Sequence, residues 1–357
     1  MSDELLKSHR DAIDAIDAQI LQLMNERANH AHEIGVIKGG GVVYRPEREA
    51  QVLARIKELN TGPLADETAA RLFREIMSAC LALERPLTIA YLGPAGTFSQ
   101  AAAIKHFGHA ASTLACASID ETFRVVESGN ADYAVVPVEN STGGAIGRSL
   151  DLMVTTPLKA CGEVVLRIHQ HFLRQISGLE GVKRVYGHAQ SLAQCHEWLN
   201  AHLPSSVERI SVESNAEGAR LASLDPSAAA LAGEAAAEKF DLIKVAQCIE
   251  DEPNNTTRFL VMGQQDVTPS GMDKTALVIS TPNRPGALLS IVSPLAQYGV
   301  SMTRFESRPS RSGLWEYFFF VDVEGHQSDA KVAAALAELQ KVASFVKVLG
   351  SYPVAAL

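Results

Sequence analysis

Two groups of residues in this sequence have types and spacings that could do chemistry. The first interrupts an apolar stripe. Leu6, Ile13, Ile16, Ile20, Leu23, Ile34 and Ile37 recur at three- and four-residue steps, the pattern of one amphipathic helix of about 30 residues. Arg27 falls in that stripe, seven residues after Ile20 and seven before Ile34, and Lys38 follows Ile34 by four. Arg10 lies between Leu6 and Ile13. Glu49 stands three and four before the apolar Val52 and Leu53, and Glu84 stands four after Cys80. Charge on an apolar face is costly unless it is paired. Internal Arg–Glu pairing with snorkelling at helix ends is one account. The other is a polar pocket for a dianion, with two basic groups and two carboxyls. Arg10 and Arg27 are 17 positions apart, roughly 25 Å along a straight helix. No small ligand spans that, so Arg10 would have to come from an antiparallel helix of a second chain. A homodimer or higher homo-oligomer is expected.

The second group follows strands. Ala134–Val138 is an apolar run that breaks into Glu139-Asn140-Ser141-Thr142-Gly143-Gly144 and restarts as Ile146, Leu150, Met153. Leu87–Leu92 leads in the same way into Gly93-Pro94-Ala95-Gly96-Thr97-Phe98-Ser99 and a helix over 100–107. Strand, polar loop and helix present N–H groups and small hydroxyls to an anion. The plain alternative is a βα turn capped by Asn140 and Ser141. A third polar cluster, Asp251 to Arg258, precedes the apolar Phe259–Met262. Gly93–Ser99 is neither a Walker loop nor G-x-G-x-x-G, so nucleotide binding is not indicated.

The elements that must position these groups fall into three segments, 1–86, 87–268 and 273–357. The first is all-α. Gly39-Gly40-Gly41 ends the long helix, and Pro46 opens a second with Val52, Leu53, Ile56 and Leu59 inward. A third runs from Asp66 to Glu84 with Phe73, Ile76, Met77 and Cys80 inward. The middle segment repeats strand and helix. Its strands include Val164–Leu173, Val182–Tyr186 and Ala228–Leu231, and Ser214-Asn215 caps a helix. Two α/β lobes joined by a chain that crosses and returns suggest a hinged, ligand-binding cleft. His169 and His171 share a strand face but have no carboxylate at ligand spacing, so packing is the expected role. His188 reads as an acid or as a cap beside a helix start. The last segment reads strand (275–280), helix (287–298), strand (301–306), strand (315–323), helix (329–342), strand (345–349). That βαββαβ order is ferredoxin-like α+β.

Composition excludes several classes. The chain has 357 residues, 46% of them hydrophobic, enough for two or three domains with their own cores. A net charge of −9 gives no case for nucleic acid or an anionic membrane. No apolar run of about 18 residues occurs, and the charged Met1–Arg10 is unlike a secretory leader. The five cysteines are scattered and form no C-x-x-C, as expected of free thiols in a reducing cytoplasm. No metal or cofactor is called for.

R-x-x-I-D-x-I-D-x-x-I-L-x-L-x-x-x-R from Arg10, then G-x-x-K and P-E-R-E, resembles the all-helical chorismate mutase family. The resemblance implies that Arg27 and a second chain's Arg10 hold the carboxylates. Lys38 would face the ether oxygen and Glu49 the ring hydroxyl. Glu84 would make a second ether contact, with Cys80 nearby. Arg45, Cys80 and Glu84 depart from an acid, a serine and a glutamine common in the family. G-P-x-G-T-F-S, P-V-E-N-S-x-x-G, G-H-x-Q-x-L-x-Q-C and N-x-T-R-F, in this order, resemble prephenate dehydratase, a two-lobed fold like the periplasmic binding proteins. They imply Thr257 at the leaving hydroxyl, polar contacts from Thr97, Ser99, Asn140, Ser141 and Gln194, and Arg258 as a positioning charge. The family often has serine where Gly187 stands. Gly286-Ala287-Leu288-Leu289 and Glu306-Ser307-Arg308-Pro309 resemble the phenylalanine-binding motifs of the ACT domain. Chorismate to prephenate to phenylpyruvate, inhibited by phenylalanine, is the activity implied. The alternatives are an arogenate-preferring dehydratase and a non-enzymatic two-lobed amino-acid-binding protein.

A carboxylate beside an ether oxygen repels it, so Glu84 is expected to work as a neutral acid. Mutase activity should therefore fall as pH rises, and Glu84→Gln, a donor at every pH, should flatten the fall. A variant profile identical to the wild type would count against the assignment.

Overall fold

No proline interrupts Ser2–Lys38, and the whole stretch is one helix, α1, closed by Gly39 at φ +61°. It is longer than the expected 30 residues because the polar start of the chain continues the same turn. In the computed structural model, residues 2–39, 42–310 and 317–355 are described. They form two compact units. The first comprises Met1–Arg45, Gln51–Leu87 and Phe107–Ser112; the second comprises Pro46–Ala50, Thr88–His106 and Thr113–Leu357.

Helices α2 (Pro46–Leu59) and α3 (Asp66–Glu84) follow α1. Pro46 occupies the first turn of α2, where its missing N–H does no harm. Leu53 and Cys80 are buried as expected, but Leu59 and Phe73 are exposed. The α1 stripe is exposed as well: Ile13 at 56%, Ile16 at 53% and Leu23 at 62%. Only Arg27, Ala28, Ala31 and Gly35 along α1 are half-buried; α1 packs on α3, with Gly35 against Glu84.

The second unit contains three sheets. Its first part runs β1 (Thr88–Leu92), α4 (Phe98–Phe107), β2 (Ser112–Cys116), α5 (Ile119–Glu127), β3 (Tyr133–Asn140), β4 (Gly144–Ala145), α6 (Gly147–Thr155) and β5 (Lys159–Arg167). Then come β6 (His171–Arg174), β7 (Arg184–Gly187), α7 (Ala189–Gln194), α8 (His196–His202), β8 (Glu208–Ser211), α9 (Asn215–Ala222), β9 (Ala228–Ala232), α10 (Glu234–Lys239) and β10 (Ile243–Ala246). β11 (Thr256–Gly263) returns to the first sheet. The chain ends with β12 (Asp273–Thr281), α11 (Ala287–Gln297), β13 (Met302–Pro309), β14 (Tyr317–Glu324), α12 (Ala330–Val342) and β15 (Phe345–Pro353). The expected strand start at Trp315 lies outside the described residues.

The sheet orders are β2-β1-β3-β11-β5 with β4 on β3, then β10-β6-β9-β7-β8, then β13-β14-β12-β15. The expected single strand over 164–173 is two strands in different sheets. The break at 168–170 is where the chain crosses from the first lobe to the second, and residues 247–255 bring it back. The two lobes and the ferredoxin-like sheet order agree with the architecture expected from sequence. The third sheet covers one face of the first, and Val136, Val138, Leu260 and Met262 share a core with Ala276, Val278, Phe320 and Leu349.

That packing has little slack. Gly350 of β15 has φ +152°, and a Cβ there would lie 2.3 Å from the Ala160 carbonyl oxygen in β5. Gly350→Ala should therefore cost about 1–3 kcal/mol, read as a melting temperature several degrees lower. An unchanged melting temperature would mean that β15 and β5 are not held so close.

Candidate functional site

A cavity of about 800 Å³ lies between the two lobes. The first turn of α4 (Thr97, Phe98, Ser99), Ala117 just before α5, and Ser214-Asn215 at the start of α9 all line it. First-turn N–H groups have no partner inside their helix and carry partial positive charge, so converging helix starts favour an anion. Lys and Arg are absent from the lining among the described residues; Glu213 and Glu217 are present. Glycines let the lobes approach. A Cβ on Gly143 would lie 2.5 Å from Gln190 Nε2, and one on Gly233 would lie 2.6 Å from the Phe98 ring.

The polar centre is Asn140, buried at the end of β3. Its Oδ1 accepts from the Gly143 N–H at 2.8 Å, the Thr142 N–H at 3.2 Å and the Thr142 hydroxyl at 2.7 Å. Backbone N–H groups can only donate, so this contact fixes which amide atom is oxygen. Nδ2 then donates to Asn255 Oδ1 at 2.8 Å and to Thr257 Oγ1 at 2.9 Å. Thr257 Oγ1 accepts there, so its own O–H remains available as a donor on the cavity wall. Asn255 Nδ2 donates to Gln194 Oε1 at 3.0 Å, and Gln190 Nε2 reaches Asn140 Oδ1 at 3.2 Å. On the second lobe, Gln170 and Asn215 both donate to the Ser191 hydroxyl, at 3.0 and 2.8 Å.

Of the residues expected at this site, Thr97, Ser99, Asn140, Gln194 and Thr257 line the cavity. Ser141 and Arg258 do not. The Ser141 hydroxyl accepts from the Thr256 N–H at 2.9 Å and donates to the Asn254 carbonyl at 3.3 Å, tying the two loops together. Arg258 follows Thr257 along a strand, so alternation turns its side chain to the other face. There it donates to Glu163 at 2.8 Å, Asp322 at 2.5 Å and the Tyr352 hydroxyl at 2.8 Å. Burial opposes charge on this guanidinium, yet Tyr352, Asp322 and Glu163 raise its pKa above the ordinary arginine value. Glu163 is likewise held below the ordinary glutamate value by Arg258 and Lys274, against its burial. Its contribution to stability is present above the ordinary glutamate pKa and is lost as pH falls through the lowered one.

His188 is the N-cap of α7, its ring accepting from the Gln190 N–H. His169 sits in the crossing segment, not on a strand, and Glu250 lies at 2.8 Å from its Nδ1. The carboxylate missing at sequence spacing is thus supplied 81 residues later, with Cys248 in the same cluster. His171 is buried and accepts from the Cys248 N–H; burial, then Lys244, lowers its pKa. A Cβ at Gly187 would meet Leu192 and Leu231 at 3.3 Å, so this position faces packed side chains. All five cysteines are free, and burial pushes the Cys161 and Cys195 thiols up to about 12.

In the first unit, Arg27 is half-buried, Lys38 and Arg10 are exposed, and Cys80 is buried. The Glu84 side chain rests on Gly35, where a Cβ would lie 2.4 Å from its Cγ. Glu49, which belongs to the second unit, is half-buried in the first turn of α2. In the last part, Gly286 has φ +80° and precedes α11; Ala287, Leu288 and Leu289 form its first turn. Glu306 and Arg308 share the half-buried face of β13, with Ser307 and Pro309 on the exposed one. Arg308 is not an open ligand charge: its Nε donates to Asp151 of α6 at 3.0 Å.

Family models match all three parts: chorismate mutase type II over residues 9–85, prephenate dehydratase over 89–267 and the ACT domain over 275–340. A bifunctional chorismate mutase/prephenate dehydratase of Neisseria gonorrhoeae is 63% identical over 99% of each chain. The chain belongs to the bifunctional chorismate mutase/prephenate dehydratase family. A relative of the same description from Stutzerimonas stutzeri is 51% identical over 99% of this chain and 98% of its own. The solved prephenate dehydratase of Arthrobacter aurescens in complex with L-Phe matches with TM-score 0.69 and 34% identity, covering 75% of this chain and 90% of that one. The protein is thus an isomerase and a carbon–oxygen lyase with an ACT regulatory domain, as phenylalanine biosynthesis requires. Gln190 and Asn255, not among the residues expected at the site, also stand in the dehydratase motifs. Gln170 and Asn215 carried no such signal.

Asn140→Asp keeps the acceptor that orders the loop and loses the donor to Thr257. Dehydratase turnover should fall at least tenfold, about 1.4 kcal/mol or more, with the mutase rate unchanged. Asn140→Ala should in addition cost about 1–3 kcal/mol of stability by stranding its partners. Equal melting temperatures for the alanine variant and the wild type would show that the loop does not depend on this side chain.

Proposed function

We propose that the cleft takes prephenate and that Thr257 is its catalytic hydroxyl. The single observation that carries this is the Asn140 Nδ2 contact to Thr257 Oγ1 at 2.9 Å. It orients the threonine O–H toward the cavity and polarises it as a donor. Donation to the leaving hydroxyl assists departure of water as carbon dioxide leaves the same ring and aromaticity is gained. Thr97, Ser99 and Gln194 supply polar contacts, and the helix starts hold the two carboxylates.

We infer further that the mutase site is completed in a homodimer. Arg27, Lys38, Glu84 and Cys80 would form one pocket with Arg10 of a second copy. The supporting observation is the exposed stripe of α1, an apolar face that an antiparallel copy would cover. The rearrangement is intramolecular, so holding the compact conformer and stabilising charge on the breaking C–O bond is the whole task. Phenylalanine is the proposed effector, at Gly286–Leu289 and Glu306–Pro309. The match to a relative solved with L-Phe supports this, although Arg308 would act there through its existing pair with Asp151. A cytoplasmic enzyme is in keeping with its biosynthetic relatives.

The test is phenylpyruvate formation from prephenate by the purified protein, with arogenate in parallel. Thr257→Ala should abolish it, by about 100-fold or more, while chorismate consumption continues. Loss of both activities together would point to misfolding, and turnover of arogenate alone would replace the substrate assigned here.

A further inference from the structure

β3 and β11 are antiparallel neighbours in which Thr257 lies opposite Asn140 and Arg258 opposite Glu139. Strand alternation sends the first pair into the cleft and the second pair toward the ACT sheet. Glu139 Oε2 there lies 3.0 Å from Arg304 Nε of β13, and Arg304 is itself the register partner of Asp322, which binds Arg258. Four residues further along β13, past Glu306, Arg308 reaches Asp151, with Gly147 leaving room for its guanidinium. Glu139 and Asp151 flank the Asn140–Ile146 loop on its two sides. One ACT strand therefore holds both ends of the loop that orders the dehydratase centre, and the same strand carries the Glu306–Pro309 motif.

The two arginines at this junction differ in kind. Arg258 has every donor nitrogen engaged. The Arg304 side chain is only 8% exposed, and its Nε and Nη2 are buried with no hydrogen-bond partner among the described residues. Its 3.0 Å approach to Glu139 is a charge contact whose N–H is not aimed at the carboxylate. A buried cation left short of partners gains from any rearrangement that supplies them. Arg258 is thus an anchor and Arg304 a contact with a second arrangement available to it.

We propose that the Arg304–Glu139 contact transmits phenylalanine occupancy of the ACT domain to the Asn140–Ile146 loop, so that Arg304 and Glu139 are positioning residues for the dehydratase. The proposal rests on the reading of the ACT domain as a phenylalanine site. A shift of β13 on ligand binding moves Glu139, and with it the donor that orients Thr257. The effector then acts through differential contacts in two states, as coupling between sites requires.

The experiment uses the full-length enzyme as wild type, Arg304→Gln, Glu139→Gln and the double variant. Phenylalanine binding is measured by calorimetry, dehydratase rate is measured against phenylalanine, and mutase rate and melting temperature report folding. Arg304→Gln should bind phenylalanine within about twofold of the wild type. Its half-inhibitory concentration should rise about tenfold or more, and the double variant should be no less sensitive than either single one. Wild-type inhibition in Arg304→Gln would overturn the proposal, and so would loss of phenylalanine binding, which would make Arg304 part of the ligand site. If the wild type neither binds nor responds to phenylalanine, the reading of the ACT domain itself is overturned. In that case, dehydratase rates altered by Arg304→Gln without ligand would still mark the contact as positioning the loop, and unaltered rates would remove that role too.

Discussion

The pairing of β3 with β11 is the constraint on which the rest of the second unit depends. The register sets Thr257 against Asn140 and Arg258 against Glu139. A slip of one residue would turn an arginine into the cleft and bury a threonine among Glu163, Asp322 and Tyr352. Neither error is small. Arg258 and Glu163 are both largely buried, and a buried charge is tolerated only with its partners in place. The ion-pair cluster therefore fixes the register, and the register aims the Thr257 hydroxyl. A cleft face on one side of the strand pair and an ion-paired face on the other follow from a period of two.

The two proposed sites would handle anions differently. The mutase segment places arginine and lysine along a helix, whereas the dehydratase cleft is lined by helix starts, amides and hydroxyls without a lining arginine or lysine among the described residues. For a carboxylate that leaves as neutral carbon dioxide this is the useful choice. A direct guanidinium would stabilise the charged ground state more than a transition state in which that charge is dispersing, and would raise the barrier. Helix N-termini hold a dianion with weaker, distributed contacts. In the rearrangement no carboxylate is lost, so strong ion pairs carry no such penalty.

Periodicity made the helices of the first segment, the alternating α/β pattern and the βαββαβ tail legible in the sequence. Loop motifs made Thr97, Asn140, Gln194 and Thr257 legible as site residues. What escaped was decided by contacts distant in sequence. Arg258 belongs to the same motif as Thr257, and its partners Asp322 and Tyr352, 64 and 94 residues away, show that it faces elsewhere. Arg308 reads as a ligand charge until Asp151, 157 residues upstream, is placed beside it. Strand alternation was available from the start and would have separated Arg258 from Thr257 had it been applied within the motif. The break at 168–170 was hidden for another reason: its two flanking strands are both apolar enough to read as one.

The ACT sheet is not a detachable module here. It shares a core with the first lobe through Val136, Leu260, Ala276 and Phe320, and Gly350 packs against the backbone of β5 without room for a methyl group. Apolar packing of this kind is non-directional and holds the domains together in either regulatory state. Direction comes from the few charges set into it. A fully satisfied set around Arg258 resists movement, and an under-satisfied Arg304 beside it does not. A junction built only of satisfied pairs would be rigid, and one built only of apolar contacts would transmit nothing specific to the loop. The mixture lets one strand move against a fixed neighbour, which is the least a domain needs in order to be heard at a site it does not touch.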